Sequence, residues 1–232
     1  MYVEFVGISG SGKTSLAESL KESLRASGIS CVTREVFFKT KKSKLFKLMW
    51  TVFRLPYLNG LSIKMLFILY ANRKIGFKRV VRALHEHMKL CYSLSVYSNS
   101  SSVILWDGGF VQRFANLSAM GLVSAGAVAD FIFKQLLQST MLVFIDVPID
   151  IAIQRRFQRE VYLRSLSNRQ MSYKSSDQKQ REVEYLTQAR QAQHDIVAML
   201  DKKGVSVFTV DGTLPVEENV AILHQVMQAK LL

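Results

Sequence analysis

The sequence has little cysteine, and the two cysteines are far apart. Cys31 and Cys91 are isolated, with no C-x-x-C spacing in the 232 residues, which argues against a zinc site and against a disulfide framework. His85 and His87 lie two positions apart and are interpreted as helix-surface residues, so a metalloenzyme is not expected. We expect reduced thiols, as in a cytosolic protein.

Long apolar runs and targeting features are also missing. No stretch reaches the roughly 18–20 apolar residues that cross a bilayer, and the nearest run, residues 65–71, is short and follows Lys64. The first residues enter a strand-like run at once, without the charged segment that opens a secretory signal. We therefore expect a soluble, cytoplasmic chain.

Acidic residues are scarce in one segment, which makes the charge uneven. Residues 34–89 hold 14 Lys and Arg against two acids, a surplus of 12 within a net charge of +13 for the chain. A local positive field of this size favours an anionic partner, namely a phosphorylated substrate, a nucleic acid or an anionic membrane surface. A basic surface that only aids solubility is the alternative. The alternation of basic with large apolar residues favours a partner.

Close to its first residue the sequence has a short glycine-rich segment. Residues 7–14 read GISGSGKT, the G-x-x-x-x-G-K-[ST] spacing of a phosphate-binding loop. A strand-like run precedes it and an amphipathic helical pattern follows, so backbone N–H groups and a helix dipole would converge on an anion. Lys13 would reach the β- and γ-phosphates of a nucleotide, and Thr14 would bind Mg²⁺. The expected nucleotide-binding residues are Gly7, Ser9, Gly10, Ser11, Gly12, Lys13, Thr14 and Ser15.

Apolar, β-rich runs alternate with helical patterns along the chain. Strands are predicted at residues 2–6, 30–37, 103–106, 141–147 and 205–210, and helices at 14–26, 149–157, 177–203 and 215–231. This alternation is typical of βαβ units and predicts an α/β fold with a mostly parallel sheet. Residues 38–102 are too many for a bare loop and hold at least two helical stretches. We expect one domain over residues 1–232.

Asp107 comes directly after the third predicted strand. Ligands of open α/β sheets gather at the carboxyl ends of the strands, so we expect Asp107 to bind the metal or to accept a proton from the acceptor. Asp-Gly-Gly is also a good turn sequence, which is the competing interpretation. For Asp146, after the fourth strand, a role in the site and a structural role, such as a helix cap, are equally open.

Arginines are concentrated after the fourth predicted strand. Five of them lie between residues 155 and 169, with Glu160 as the single acid. Arg155 and Arg159 share one helix face and would compensate the charge on a transferring phosphoryl group. Residues 155–176 are therefore predicted to form a lid, a solvated helix face being the alternative. The five are Arg155, Arg156, Arg159, Arg164 and Arg169.

With these residues the chain resembles a P-loop kinase of the nucleoside-monophosphate kinase group, nearest to thymidylate kinases. Residues 33–35 are similar to the family's T-R-E-P element, with Val36 in place of the proline, and Asp107 stands where the family has an Asp-Arg pair. Residues 148–155, with Arg159, resemble the P-x-E-x-A-L-x-R…R stretch that leads into the lid. Residues 210–218 also look like the family's C-terminal pattern.

The resemblance implies the architecture and the donor chemistry. It implies the P-loop NTPase fold, a three-layer αβα sandwich around a five-stranded, mostly parallel sheet in the order 2-3-1-4-5. Residues 38–102 would be a basic helical insert on the acceptor side, and residues 155–176 the lid. ATP would be the phosphoryl donor, with Mg²⁺ held by Thr14 and Asp107.

The departures from the family pattern fall on the acceptor side. Gly108 replaces the arginine of the Asp-Arg pair, and Ser9 and Ser11 stand where such kinases place an acid in the loop. These differences argue against thymidine monophosphate as the acceptor. The substrate-binding candidates are Arg34, Glu35 and Arg73, and either of the two arginines would take over the acceptor phosphate.

Three function classes stay open. The first is an ATP-dependent phosphotransferase acting on a small acceptor such as a nucleoside monophosphate. The second is a kinase of an envelope sugar or glycolipid, with the aromatic and basic residues of 38–102 facing the inner surface of an anionic membrane. The third, an ATPase stimulated by nucleic acid, is the least expected. No N-K-x-D element is present to read guanine. The oligomeric state is open, a homodimer included.

Overall fold

A computed structural model describes residues 1–33, 102–134, 136, 139–167 and 176–231, with the backbone alone for 163–167. Several predictions fall outside these residues: the end of the second predicted strand, the insert at 38–102 except its last residue, and the last part of the lid. The same holds for the candidate residues Arg34, Glu35 and Arg73 and for Arg169. The side chain of Arg164 is also outside the description.

Five strands of the described chain form one parallel sheet, in the order β2-β3-β1-β4-β5. All four neighbouring pairs are parallel. The predicted αβα fold class and strand order are therefore confirmed. The strands are β1 (Tyr2–Val6), β2 (Cys31–Thr33), β3 (Val103–Asp107), β4 (Thr140–Asp146) and β5 (Ser206–Asp211).

The central strands are apolar at almost every position because helices cover both faces of the sheet. Tyr2 and Val6 of β1 face one buried cluster, whereas Val3 and Phe5 face the other, as the period of two in a strand requires. Glu4 is the exception, since it is a carboxylate in the middle of β1 and is fully buried.

Five of the six described helices pack on the sheet, and the fourth packs against the fifth. Helices α1 and α6 cover one face, and α2, α3 and α5 cover the other. The prediction missed α2 and α3 and ended α4 ten residues too early, because its amphipathic pattern fades after the first turns. The helices are α1 (Lys13–Ala26), α2 (Phe110–Ala119), α3 (Ala125–Phe133), α4 (Ile149–Ser167), α5 (Ser176–Lys202) and α6 (Val216–Leu231).

The carboxyl ends of β1, β3 and β4 meet at one edge of the sheet. The loop before α1, the turn before α2 and the start of α4 all leave from this edge, which is where ligands bind in such folds. Among the described helices, none combines the length and the apolar character that a membrane span needs.

Candidate functional site

The segment between β1 and α1 has the backbone of a phosphate-binding loop. Gly10 and Gly12 have φ of 96° and 92°, in the left-handed region that favours glycine. A Cβ at Gly10 would overlap the carbonyl oxygen of Ala152 at the start of α4. The glycines thus let the loop curl at the head of α1 while it packs against α4.

The Lys13 ammonium lies inside this loop. Its Nζ donates to the carbonyl oxygens of Gly7 at 2.7 Å and Ile8 at 2.8 Å, and to Ser11 Oγ at 3.4 Å. Burial lowers the pKa of Lys13 to about 8, the Asp107 carboxylate opposes this change, and the positive charge of Arg159 adds to it. The ammonium is therefore held against the carbonyl groups of the loop.

Thr14 and Asp107 are brought together although 93 positions separate them in the chain. Thr14 Oγ1 donates to Asp107 Oδ2 at the mouth of the loop. A hydroxyl and a carboxylate are hard oxygen ligands of the kind that Mg²⁺ takes from a protein when it also binds waters and phosphate oxygens. The described residues contain no cluster of three or more His, Cys, Asp or Glu for a metal. The Thr14–Asp107 pair supplies two oxygen ligands.

A cleft of about 770 Å³ opens in front of the loop, between α2 and α4. Six of the eight predicted loop residues line it, while Gly7 and Ser11 lie behind it. Five cations and one carboxylate, Asp107, line the cleft, so its field favours a highly charged anion such as a triphosphate. The cations are Lys13, Arg113, Arg155, Arg156 and Arg159.

The arginines of α4 form the wall opposite α2. Arg155 donates from Nη1 to the carbonyl oxygen of Gly212 at 2.6 Å, in the turn after β5. Arg156 forms an ion pair of 2.6 Å with Glu182 of α5, and Arg159 is exposed. Both predicted catalytic arginines therefore line the cleft, and Arg155 also ties α4 to the sheet. Their action on a transferring group stays a prediction.

The cleft residues that the prediction missed include Gln112 and Arg113, on the first turn of α2. Arg113 donates from Nε to the carbonyl oxygen of Gly108 at 3.2 Å, so its guanidinium lies next to the position where the resembling family has its arginine. The i, i+4 pair Phe110 and Phe114, both buried, was the available signal for α2.

Glu4 was also missed, although it connects β1 to α2. Its two oxygens accept hydrogen bonds from the Tyr2 hydroxyl and from the backbone N–H groups of Phe110, Val111 and Gln112. Burial raises the pKa of Glu4 to about 7, and these hydrogen bonds oppose the change. Glu4 thus caps α2 from behind the cleft.

Asp146 has a structural contact. It accepts from Arg190 of α5 at 2.8 and 2.9 Å, and it is not part of the cleft lining. Of the two interpretations that the sequence left open, the structure favours an ion pair that holds α5 on the end of β4.

No protein-family model matches the chain, and no curated protein matches it. Solved structures do match. A deoxyadenosine kinase from M. mycoides with the products dCMP and a flexible dCDP bound has a TM-score of 0.57 at 14% identity, covering 99% of this chain and 100% of that chain. The same kinase with bound dATP has a TM-score of 0.54 at 12% identity, covering 98% and 99%. The chain therefore has the fold of P-loop nucleoside kinases, whereas the narrower resemblance to thymidylate kinases stays a prediction.

Proposed function

We propose that this protein is an ATP-dependent phosphotransferase that moves the γ-phosphoryl group to a small acceptor of the nucleoside class, a nucleoside or a nucleoside monophosphate. The observation that carries the proposal is the meeting of Lys13, Thr14 and Asp107 at the mouth of one basic cleft. The likeness in fold to a kinase with bound dATP supports it.

The donor half of the site is the loop and the head of α1. The loop amides, the Lys13 ammonium and the positive end of α1 bind the β- and γ-phosphates. Thr14 and Asp107 would hold Mg²⁺, which neutralises charge on the phosphate oxygens and aligns them when it is bound. Arg155 and Arg159 on the opposite wall add cations around the transferring group.

The acceptor half is the end of β3 and the first turn of α2. The attacking atom is the hydroxyl oxygen of a nucleoside or a phosphate oxygen of a nucleoside monophosphate. It bonds to the γ-phosphorus, the bond to the β-phosphate oxygen breaks, and ADP leaves with the electron pair. With a nucleoside as the acceptor, the proton of the hydroxyl passes to an oxygen of Asp107. Gln112 and Arg113 contact the acceptor from the same side of the cleft. Closure of residues 155–176 as a lid would exclude water and so suppress hydrolysis of ATP.

The place where the chain leaves the sheet supports an acceptor-side role for residues 38–102. β2 runs parallel to β3, with Thr33 opposite Leu105, so the carboxyl end of β2 points to the sheet edge that carries Asp107. We propose that residues 1–232 form one kinase domain, in which this insert completes the acceptor site with Arg34, Glu35 and Arg73.

The test is a labelled-phosphate assay with purified protein. The protein is incubated with γ-labelled ATP, Mg²⁺ and separate acceptors: nucleosides, nucleoside monophosphates, a hexose and a lipid-linked sugar. We expect label on a nucleoside or a nucleoside monophosphate, and none with Lys13→Ala, whose circular dichroism stays that of the folded protein. If only the lipid-linked sugar is labelled, the acceptor is a lipid-linked sugar and not a nucleoside or a nucleoside monophosphate. Calorimetry without heat of binding for ATP or GTP in the presence of Mg²⁺ would overturn the whole proposal.

A further inference from the structure

Glu4 lies where a carboxylate is costly. It is in the middle of β1, in register with Trp106 of β3 and Leu142 of β4, and none of its surface is exposed. A charged group at such a position destabilises the fold unless its oxygens are fully hydrogen-bonded. The contacts of this carboxylate therefore indicate what it does.

Four donors converge on the Glu4 carboxylate. Oε2 accepts from Phe110 N at 2.9 Å and from the Tyr2 hydroxyl at 3.2 Å, and Oε1 accepts from Val111 N at 2.8 Å and Gln112 N at 3.3 Å. Three of these donors are the first N–H groups of α2, which have no partner inside the helix. Gly109, the residue before α2, offers no side-chain cap. Glu4, which belongs to the neighbouring strand β1, therefore takes the place of a local helix cap.

The two glycines after Asp107 allow the start of α2 to come close to the Glu4 carboxylate. Gly108 has φ of 74°, a left-handed conformation that turns the chain back towards β1. A Cβ at Gly109 would overlap both Glu4 Oε2 and the Tyr2 hydroxyl oxygen. The Asp-Gly-Gly sequence, which departs from the family's Asp-Arg pair, is thus explained by the contact between the start of α2 and the carboxylate behind it.

The start of α2 carries groups into the cleft. Gln112 Oε1 accepts from the backbone N–H of Gly7, the first residue of the phosphate-binding loop, at 3.3 Å. Gln112 and Arg113 line the cleft, and Asp107, which contacts Thr14, is three residues before α2. We propose that Glu4 is a positioning residue: its carboxylate holds the start of α2 and, through Gln112 and the glycine turn, sets the loop and Asp107.

A variant with the same shape tests this role. Glu4→Gln keeps the volume but places an NH₂ group against a backbone N–H. We expect the KM for Mg–ATP to rise several-fold and kcat to fall about ten- to a hundredfold, because a misplacement of about 1 Å can cost a hundredfold in rate. The control is Leu223→Ala, a buried residue of α6 in the other cluster. It should lower the melting temperature while KM and kcat per folded molecule stay unchanged.

A second readout does not depend on activity. Amide hydrogen exchange at Gly7 and at residues 110–112 should be faster in Glu4→Gln than in Leu223→Ala when the two variants have the same melting temperature. The kinetic readout rests on the proposed function. If the wild-type protein has no kinase activity, the proposed function is wrong, and the exchange experiment alone tests the role of Glu4. Unchanged exchange at Gly7 would overturn the positioning role.

If Glu4→Gln does not fold, Tyr2→Phe takes its place. This variant removes one of the four donors and leaves the carboxylate, so the same changes in exchange and in KM should occur with smaller size. Wild-type exchange at Gly7 together with a wild-type KM in Tyr2→Phe would overturn the inference.

Discussion

The burial of Glu4 has a measurable effect on the pH dependence of folding. The pKa of Glu4 rises from 4.5 to about 7 in the folded protein, first because of burial. In the window between these values the folded chain holds a proton that the unfolded chain has released. The contribution of Glu4 to stability is therefore fully present below pH 4.5 and is lost as the pH rises through 7.

The size of the effect follows from the shift. At about 1.4 kcal/mol for each pKa unit, the free energy of unfolding should lose about 3 kcal/mol through Glu4 between these two pH values. Glu4→Gln does not titrate, so the difference between wild type and this variant isolates the contribution of Glu4. Other carboxylates change both proteins alike and cancel.

Urea unfolding at a series of pH values measures this difference. Fluorescence is a suitable probe because Trp106 is buried next to Glu4 in the sheet, and midpoint and slope yield the free energy of unfolding. A difference that is flat with pH would show that the pKa of Glu4 is the same in both states. A difference that grows with pH would show that the four donors outweigh burial, and either result would refute the reasoning.

Three further predictions concern the cleft. The value of kcat/KM for ATP should fall as the pH rises through about 8, because the buried Lys13 loses its proton there. Asp107→Asn should raise the Mg²⁺ concentration for half-maximal activity by about tenfold or more, since a carboxylate ligand becomes an amide. Arg113→Ala should raise the KM for the acceptor and leave the KM for ATP unchanged, because we propose that Arg113 contacts the acceptor.

Each of these predictions has its control. Lys13→Arg keeps its charge at all pH values in the assay, so its residual activity should lack the decline near pH 8. An unchanged Mg²⁺ dependence in Asp107→Asn would show that Asp107 does not bind the metal. Arg181→Ala, an exposed arginine of α5, should leave both KM values unchanged. Equal increases in both KM values for Arg113→Ala would contradict its assignment to the acceptor.

The sequence pattern alone was sufficient for the phosphate-binding loop and for the parallel α/β class, whereas the strand order came from the resemblance to a kinase family. The loop is read from contiguous residues because its chemistry is local: glycines, a lysine and a threonine act at the head of the helix that follows them. The strands could be predicted because buried parallel strands are continuous apolar runs. Short helices were missed, such as α3, whose nine mostly apolar residues show no clear period.

Only the tertiary structure decided which distant residues meet. In the sequence, Glu4 is a single polar residue in an apolar strand. Its partners on α2 are backbone N–H groups, and the residue types at those positions do not indicate the contact. Thr14 meets Asp107, and Gly7 meets Gln112, because parallel register brings the ends of β1 and β3 side by side. Contacts of this kind depend on how strands align and where a helix begins. Local sequence determines the elements, and packing determines the site.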